Sequence, residues 1–275
     1  MKKTTWLWIL AVAITLAAAI YQRTTGPTYS KQISFQLMGD QYTQEFPRSH
    51  GGSDSCRITL DIPEQADARL WFKRYPTNEK FQAQAFRKKN DRQIAALPPQ
   101  PPAGKLKYFI EIQSDKKRIF IARNEPIIIR FKGEVSPVVL IPHVIIMFSA
   151  MLFSTLAGLL ALFKINRFRL YGVVTLILLV VGGFIFGPLM QYQAFGDAWT
   201  GIPFGWDLTD NKTLIAFLGW FTAVISNRRK YRPRDYVIAA LLLLVVYSIP
   251  HSLMGSEYDY SQGEVTTGMI LPFLG

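Results

Sequence analysis

The residues best suited to chemistry are two of the three histidines, because both follow the dipeptide Ile-Pro inside an apolar run. His143 stands in VVLIPHVIIMF and His251 in VVYSIPHSLMG. Met147 follows His143 by four residues, and Met254 follows His251 by three. Imidazole and thioether side chains together suit Cu(I), or the axial positions of a haem iron.

Both histidines are predicted at the same depth of a membrane. Each lies six residues from the predicted outer end of an apolar helix, which is about 9 Å at 1.5 Å per residue. Met190 ends another apolar segment and is expected in the same leaflet. The cofactor is unknown from sequence. The hypothesis of haem b or copper takes as ligands His143, His251, Met147, Met190 and Met254.

A structural interpretation stays open for the same residues. A histidine near a helix end can bond carbonyl groups that a proline leaves without a donor. Methionine commonly fills gaps in an apolar core. The sequence does not show whether His143 and His251 are neighbours.

A second group of candidates is polar and surrounds the loop FGDAWTGIPFGWDLTDNK. Ionisable residues near membrane depth are functional hypotheses by default. The candidates for a polar site at the outer membrane face are Asp197, Asp207, Asp210, Asn211, Lys212, Glu257 and Asp259. The alternative is helix capping by Asp207 or Asp210, which stand three residues apart at a predicted helix start. A calcium loop is excluded because Lys212 replaces the glycine that an EF-hand requires.

The apolar segments predict a membrane protein with a defined orientation. Two short connecting loops, KINRFR and NRRKYRPRD, hold eight basic residues and one acid, whereas loop 195–212 has one lysine and three aspartates. The positive-inside rule therefore places the two basic loops in the cytoplasm. Residues 1–22 are expected to be a signal peptide or a signal-anchor helix. The predicted spans of the helical domain, 137–275, are about 137–163, 171–194, 213–226 and 236–254.

Residues 27–136 are predicted to form an exported all-β domain. CRITLDI and KLKYFIEIQ alternate apolar and polar residues, which is typical of half-buried strands. Seven or so short strands suit a two-sheet sandwich. The lone cysteine, Cys56, is expected to be a buried thiol. The linker GEVSP is short, so this domain is expected to cap the outer end of the helices.

One stretch of this domain resembles a known class of modules. AALPPQPPAGKLKYFIEIQSDKKRIFI is similar to the later strands of immunoglobulin-like or fibronectin type III-like modules of bacterial exported proteins, in which a proline-rich turn leads into a strand with an inward tyrosine. The resemblance implies a fold and no catalytic activity, because such modules host many functions.

The β domain is strongly basic, with 20 Lys and Arg against 12 Asp and Glu between Arg23 and Val135. The clusters RKKNDR and DKKR are expected at hairpin tips. They are either solvated turns or contacts for anionic lipid head groups or an acidic partner. Nucleic acid is not expected as a partner outside the cytoplasm.

The predicted architecture is therefore an α+β multidomain membrane protein. It combines an immunoglobulin-like sandwich with a transmembrane bundle of four helices and an N-terminal signal anchor or signal peptide. The favoured function is a bacterial inner-membrane envelope subunit that contacts the bilayer and other envelope or exported proteins. The alternatives are a haem b or copper redox protein and a small transporter or channel component. A hydrolase is the weakest, because the sequence has no G-x-S-x-G or H-E-x-x-H motif.

Overall fold

The protein has a mixed α+β fold, seen in a computed structural model that describes residues 3–89, 92–114, 117–250 and 255–266. The described chain divides into two units. The helical unit consists of residues 3–27, 135–250 and 255–256. The β-rich unit consists of residues 28–89, 92–114, 117–134 and 257–266.

The helical unit contains long apolar helices joined by short loops. Its α-helices are α1 (Lys3–Thr25), α2 (Pro137–Leu162), α3 (Phe168–Leu179), α4 (Gly187–Phe195), α5 (Leu208–Arg229) and α6 (Pro233–Ser248). A π-helical segment, Val180–Phe186, joins α3 to α4 without a break in the helix.

Within the described residues, three stretches are long and apolar enough to cross a membrane: Thr4–Thr25, Pro137–Leu162 and Phe168–Phe195. The first corresponds to the predicted signal peptide or signal anchor, residues 1–22, and its helix continues to Thr25. Two of the predicted spans, 137–163 and 171–194, thus lie in helices of sufficient length and hydropathy. The predicted span 236–254 corresponds to the 16 residues of α6, which end at Ser248.

Small residues bring the helices of this unit into close contact. A Cβ atom on Gly158 would meet the Cβ of Ala240 at 2.5 Å, so α2 and α6 touch almost backbone to backbone. A Cβ on Gly172 would meet the ring of Tyr236 at 2.1 Å. Trp220 is fully buried in this core and donates its indole N–H to Ser154 Oγ at 3.1 Å. This apolar core includes residues of α1, α2, α3, α5 and α6.

Glycines mark the π-helical segment. Gly182 and Gly183 lie inside this segment and Gly187 follows it, where the helix changes its hydrogen bonding. A Cβ on Gly182 would meet Met147 Sδ at 2.7 Å, and one on Gly183 would meet the Thr213 side chain at 2.5 Å. The two glycines therefore allow α2 and α5 to approach this segment. Such π segments are frequent at functional sites.

The β-rich unit contains short strands in its described residues. They are β1 (Lys31–Leu37), β2 (Asp40–Phe46), β3 (Ser49–Gly51), β4 (Cys56–Leu60), β5 (Asp67–Tyr75), β6 (Gln82–Ala85), β7 (Arg87–Lys89), β8 (Arg92–Leu97), β9 (Lys105–Ser114), β10 (Lys117–Ile121), β11 (Ile127–Lys132), β12 (Glu257–Asp259) and β13 (Glu264–Thr266).

The strands form one large sheet and three small ones. The six-stranded sheet has the order β3-β11-β9-β5-β6, with β10 also paired to β9. The small sheets are β4-β8-β7, β1-β2 and β12-β13. All described pairs are antiparallel except β3 with β11.

The core of the β-rich unit follows the predicted alternation. On β9, Leu106, Tyr108, Ile110 and Ile112 point into the core, and the Tyr108 hydroxyl donates to the carbonyl of Pro47 at 2.8 Å. Cys56 is buried in the same core, as the sequence predicted.

The chain returns to the β-rich unit near its end. The hairpin β12-β13 belongs to this unit, although the sequence had placed this tail with the helical domain. Glu257 forms an ion pair with Lys105 at the start of β9. The Tyr260 hydroxyl accepts from the Lys105 amide at 3.0 Å and contacts Gln100 Oε1 at 2.9 Å. These contacts join the C-terminal hairpin to β9, although the two are about 155 positions apart in the sequence. No local sequence pattern predicts this pairing.

Candidate functional site

The polar site is built around the start of α5, which begins at Leu208, five residues before the predicted span 213–226. The 14-residue span predicted from residue 213 is the inner part of a 22-residue helix that begins at Leu208. Asp207 caps this helix, with Oδ1 accepting from the backbone N–H of Thr209 at 2.7 Å and of Asp210 at 3.4 Å. The capping alternative thus applies to Asp207. The predicted span 213–226 therefore lies within a longer helix, which begins with the mostly polar residues LTDNK.

Asp210 binds the loop that precedes the helix. Its Oδ2 accepts from the backbone N–H of Thr200 at 2.6 Å and from the Thr200 hydroxyl at 3.2 Å. The same hydroxyl accepts from Gln191 Nε2 at 2.6 Å. Thr200 is 2% exposed and Asp210 7%. A buried carboxylate therefore holds the buried backbone of the loop in place. Hydrogen bonds to an ionised group are stronger than bonds between neutral groups.

Asn211 and Gly201 bring the same loop close to the helix. Asn211 Oδ1 accepts from the backbone N–H of Ile202 at 2.8 Å. A Cβ on Gly201 would meet Asp210 Cβ at 2.7 Å, so the loop approaches the helix more closely than another residue would permit.

Lys212 and Asp207 extend the site to the chain that follows α6. The Lys212 ammonium donates to the carbonyl of Ile249 at 2.7 Å, just beyond the end of α6. Asp207 Oδ2 accepts from the backbone N–H of Ser256 at 3.1 Å. Lys212 is 2% exposed and Asp207 5%. These bonds tie the residues after α6 to the start of α5.

We call this set the polar network: Gln191, Thr200, Asp207, Asp210, Asn211, Lys212 and Ser256. Most of its bonds end on main-chain N–H or C=O groups. A carboxylate that accepts two or three N–H bonds has few lone pairs left for an incoming ligand. The arrangement is suited to fixing two connecting segments on one helix end.

The structure brings together four of the seven predicted polar candidates. Asp207, Asp210, Asn211 and Lys212 meet at one place, whereas Asp197 is an exposed loop residue. The other two, Glu257 and Asp259, lie in the β-rich unit.

Both of those acids have partners within the β-rich unit. Glu257 pairs with Lys105. Asp259 Oδ1 accepts from the Ser261 hydroxyl at 2.6 Å and from its backbone N–H at 2.7 Å. These bonds lower the pKa of the Asp259 carboxyl, the Ser261 hydroxyl contributing most. Both residues therefore serve the C-terminal hairpin.

His143 contacts the π-helical segment. Its Nδ1 lies 3.0 Å from the carbonyl oxygen of Gly182, which also accepts from the Gly187 backbone N–H. Met147, one turn further along α2, borders the same glycine. Met190 is half-buried in α4. His251 and Met254 lie outside the described residues.

Metal-ligand geometry can be judged only for the residues that the structure describes. No group of three or more His, Cys, Asp or Glu side chains there is arranged to hold a metal ion. The proposed ligand pair includes His251, so this finding concerns the polar network rather than the histidine pair.

Sequence reasoning missed several members of the polar network. Gln191, Thr200 and Ser256 carry no recognisable motif, and their role depends on how the loops turn. The only signal in the sequence was the density of glycine and proline in TGIPFG, which predicts turns that return the chain onto the helix start.

Comparisons with protein-family models, with curated proteins and with solved structures found no match to this chain.

Proposed function

We propose that the chain is an inner-membrane protein of the bacterial envelope and a subunit of a membrane complex. In this proposal α2, α3 with α4, α5 and α6 form a four-helix transmembrane bundle, and α1 is an uncleaved signal anchor. The β-rich unit is an immunoglobulin-like module outside the cytoplasm, where it binds another envelope or exported protein.

The charge of the connecting loops supports the orientation. The turn between α2 and α3 carries Lys164 and Arg167, and the turn between α5 and α6 carries Lys230 and Arg232. Arg228 and Arg229 occupy the last turn of α5, where cations also interact favourably with the helix dipole. Cytoplasmic loops collect such residues.

The observation that carries the proposal is the closure of the polar network. Asp207, Asp210 and Lys212 are each bonded to backbone groups, and each is less than 10% exposed. A site that binds and releases a substrate needs polar groups that exchange partners, whereas these groups hold two loops. The ionisable residues of the helical unit thus support an anchoring role, and the β-rich unit is left to carry recognition.

Alkaline phosphatase fusions test the orientation. Phosphatase folds only outside the cytoplasm, so a fusion after Glu134 should be active and a fusion after Lys230 should be inactive. Activity in the second fusion and none in the first would overturn the proposed topology. Chemical crosslinking in intact membranes tests whether the chain is a subunit of a complex. A subunit should appear in crosslinked species larger than 31.3 kDa. If the chain stays at 31.3 kDa at every crosslinker dose, it is not part of a complex.

A second candidate function, a haem b or copper protein, is favoured by the bond at His143. If Nδ1 donates to the Gly182 carbonyl, Nε2 carries the lone pair that ligates a metal. Histidine ligands commonly donate their other ring nitrogen to a backbone carbonyl in this way. A haem held between the helices of a bundle can likewise have two histidine ligands, and His143 would be one of them.

Spectra of the purified chain test this candidate. A Soret band that shifts on dithionite reduction, or copper at one equivalent, supports it if His143→Ala abolishes the signal. Met38→Ala, on the β-rich unit, is the control. A featureless spectrum with no metal in protein purified under mild conditions would contradict the candidate.

A further inference from the structure

We propose that one face of the six-stranded sheet is a docking surface for an acidic protein partner. The inference rests on the proposed function, since it names the surface through which the β-rich unit would bind another envelope protein. We call this surface the outer face. Its residues are Asp67, Arg69, Trp71, Lys73, Tyr75, Phe81, Lys107, Phe109, Glu111, Arg118, Phe120 and Arg123.

Strand alternation creates the outer face. The even-numbered residues of β9 from Leu106 to Ile112 point into the core. Successive side chains point to opposite sides of a sheet, so Lys107, Phe109 and Glu111 lie on the other side. Strand register places Trp71 opposite Phe109 and Phe120 opposite Glu111. The outer face thus spans β5, β9 and β10.

Aromatic rings cover the centre of the outer face. Trp71 stacks on Phe109 with 5.9 Å between ring centroids and 4° between planes. Phe81 meets the same ring edge-on at 5.0 Å, and Phe120 lies 6.4 Å from it. Phe109 is 8% exposed yet lies outside the core cluster of this unit. The rings therefore form a second apolar cluster, whose margin at Phe120 is 37% exposed.

Cations surround these rings. Lys107 Nζ lies 4.1 Å from the centroid of the Tyr75 ring. Arg123 lies 4.2 Å from the Phe120 ring, and Lys73 Nζ 5.6 Å from the Phe81 ring. Cations over ring faces are held in place, which lowers the entropy lost when a partner binds.

The charge of the outer face is unbalanced. Its described cations are Arg69, Lys73, Lys107, Arg118 and Arg123, and its described acids are Glu111 and, at the start of β5, Asp67, which pairs with Lys88 at 3.0 Å. Glu111 is 6% exposed and is already bonded to Trp71 Nε1 at 2.8 Å and Arg118 Nε at 3.0 Å.

Two of these cations are paired unfavourably. Lys73 and Lys107 stand directly opposite each other on neighbouring strands, which is a destabilising arrangement for like charges. Acidic groups of a partner would relieve this repulsion. The surface is therefore complementary to negative charge.

Shape and composition favour a protein partner over a lipid surface. The Trp71 indole is bonded to Glu111 and stacked on Phe109, whereas residues that insert into a membrane surface commonly project from an amphipathic helix. Tryptophan, tyrosine and arginine are the residues that dominate protein interfaces. The nine residues of β5, the ten of β9 and the five of β10, at about 3.3 Å per residue and about 4.8 Å between strands, give a face of about 380 Å². That is about half of the roughly 800 Å² that each partner contributes to a standard interface, so the face suits a single segment of a partner protein.

Peptide binding to the purified full chain in detergent tests this proposal. The probes are fluorescent short peptides that alternate Glu or Asp with Leu and Phe, and their charge-inverted and neutral counterparts. Fluorescence anisotropy should show binding of the acidic peptide alone, weakened as salt rises. Binding of the charge-inverted peptide with equal affinity would overturn the proposal.

Lys73→Glu is the decisive variant. It places a carboxylate opposite Lys107 instead of a like charge, which offsets the loss of the bond from Lys73 Nζ to the Thr77 carbonyl at 2.9 Å, while the outer face loses two units of positive charge. Arg57→Glu, an exposed position on β4, makes the same change of net charge elsewhere. Acidic-peptide affinity should fall about tenfold or more in Lys73→Glu and stay unchanged in Arg57→Glu. An equal loss in both variants, or no loss, refutes the surface.

Two further measurements complete the test. Phe120→Ala should also weaken peptide binding, because it removes the exposed edge of the aromatic centre. Vesicles containing phosphatidylglycerol that bind the wild-type chain but not Lys73→Glu, without any peptide binding, would overturn the proposal in favour of a lipid surface. None of these assays depends on topology, so they can fail while the phosphatase fusions support the proposed function, and the reverse.

Discussion

Replacement of Asp210 by alanine should destabilise the helical unit more than any change to an exposed acid in the same loop. Asp210 supplies the acceptor for the Thr200 backbone N–H at 2.6 Å, in a place where Thr200 is 2% exposed. Without it, a buried donor loses its partner, at about 1–3 kcal/mol, and a charge-assisted bond to the Thr200 hydroxyl is lost as well. The total expected loss is about 2–4 kcal/mol.

Thermal unfolding in detergent, followed by far-ultraviolet circular dichroism, measures this loss. For a domain of 150–250 residues, about 2–4 °C accompanies each kcal/mol, so the midpoint should fall by about 4–16 °C. Asp210→Asn keeps an acceptor oxygen and should lose about 1 kcal/mol or less. Asp197→Ala, in the same loop but exposed, should change stability by no more than about 0.5 kcal/mol. If Asp210→Ala unfolds at the same temperature as Asp197→Ala, the polar network does not hold the loop.

Three further outcomes follow from the packing and the pKa values. Burial raises the pKa of the Cys56 thiol to about 11, so maleimide should react with it slowly at neutral pH and rapidly after denaturation. Fast labelling of Cys56 in the folded protein would contradict its burial. Gly172→Ala should destabilise the helical unit by about 1–3 kcal/mol, because the new Cβ would meet the Tyr236 ring at 2.1 Å. Gly219→Ala should destabilise it less, because only the end of a leucine side chain must move. Equal melting temperatures of the two variants would contradict this packing. Burial also raises the pKa of Tyr260 from 10.0 to about 12, so between these pH values the folded state retains a proton that the unfolded chain loses. The free energy of unfolding should therefore decline between about pH 10 and pH 12. An identical alkaline profile in Tyr260→Phe would refute that assignment.

Patterns of short range were sufficient for much of the fold. The alternation in KLKYFIEIQ predicted β9 and its core face, and the composition of the apolar runs predicted the long helices α1 and α2. Two carboxylates spaced three apart predicted the cap that Asp207 provides. In each case the residues that decide the structure are neighbours in sequence.

Contacts between distant segments were beyond the same reasoning. The Tyr260 hydroxyl bonds Lys105, which is 155 positions away, so the return of the C-terminal hairpin to β9 leaves no local trace. Asp207 bonds Ser256 across 49 positions. The first turn of α5 lies outside the predicted span 213–226, because Asp210 and Lys212 look unsuited to a buried helix turn. They are tolerated there because loop backbone supplies their partners.

The outer face illustrates the same limit. Trp71, Phe81, Phe109 and Phe120 belong to different segments, and only strand register brings their rings together. The sequence showed that the β domain is basic, but it did not show which of its cations lie on the outer face.

Labelling of single cysteines in intact cells tests the central claim most directly. The buried Cys56 contributes little background, so a cysteine introduced at the exposed position Asn78 reports on the β-rich unit, and one at Lys230 reports on the loop between α5 and α6. The account predicts that a membrane-impermeant maleimide labels Asn78→Cys in whole cells and labels Lys230→Cys only after the membrane is broken. Labelling of Lys230→Cys in whole cells, with Asn78→Cys protected, would place the β-rich unit in the cytoplasm and contradict the account.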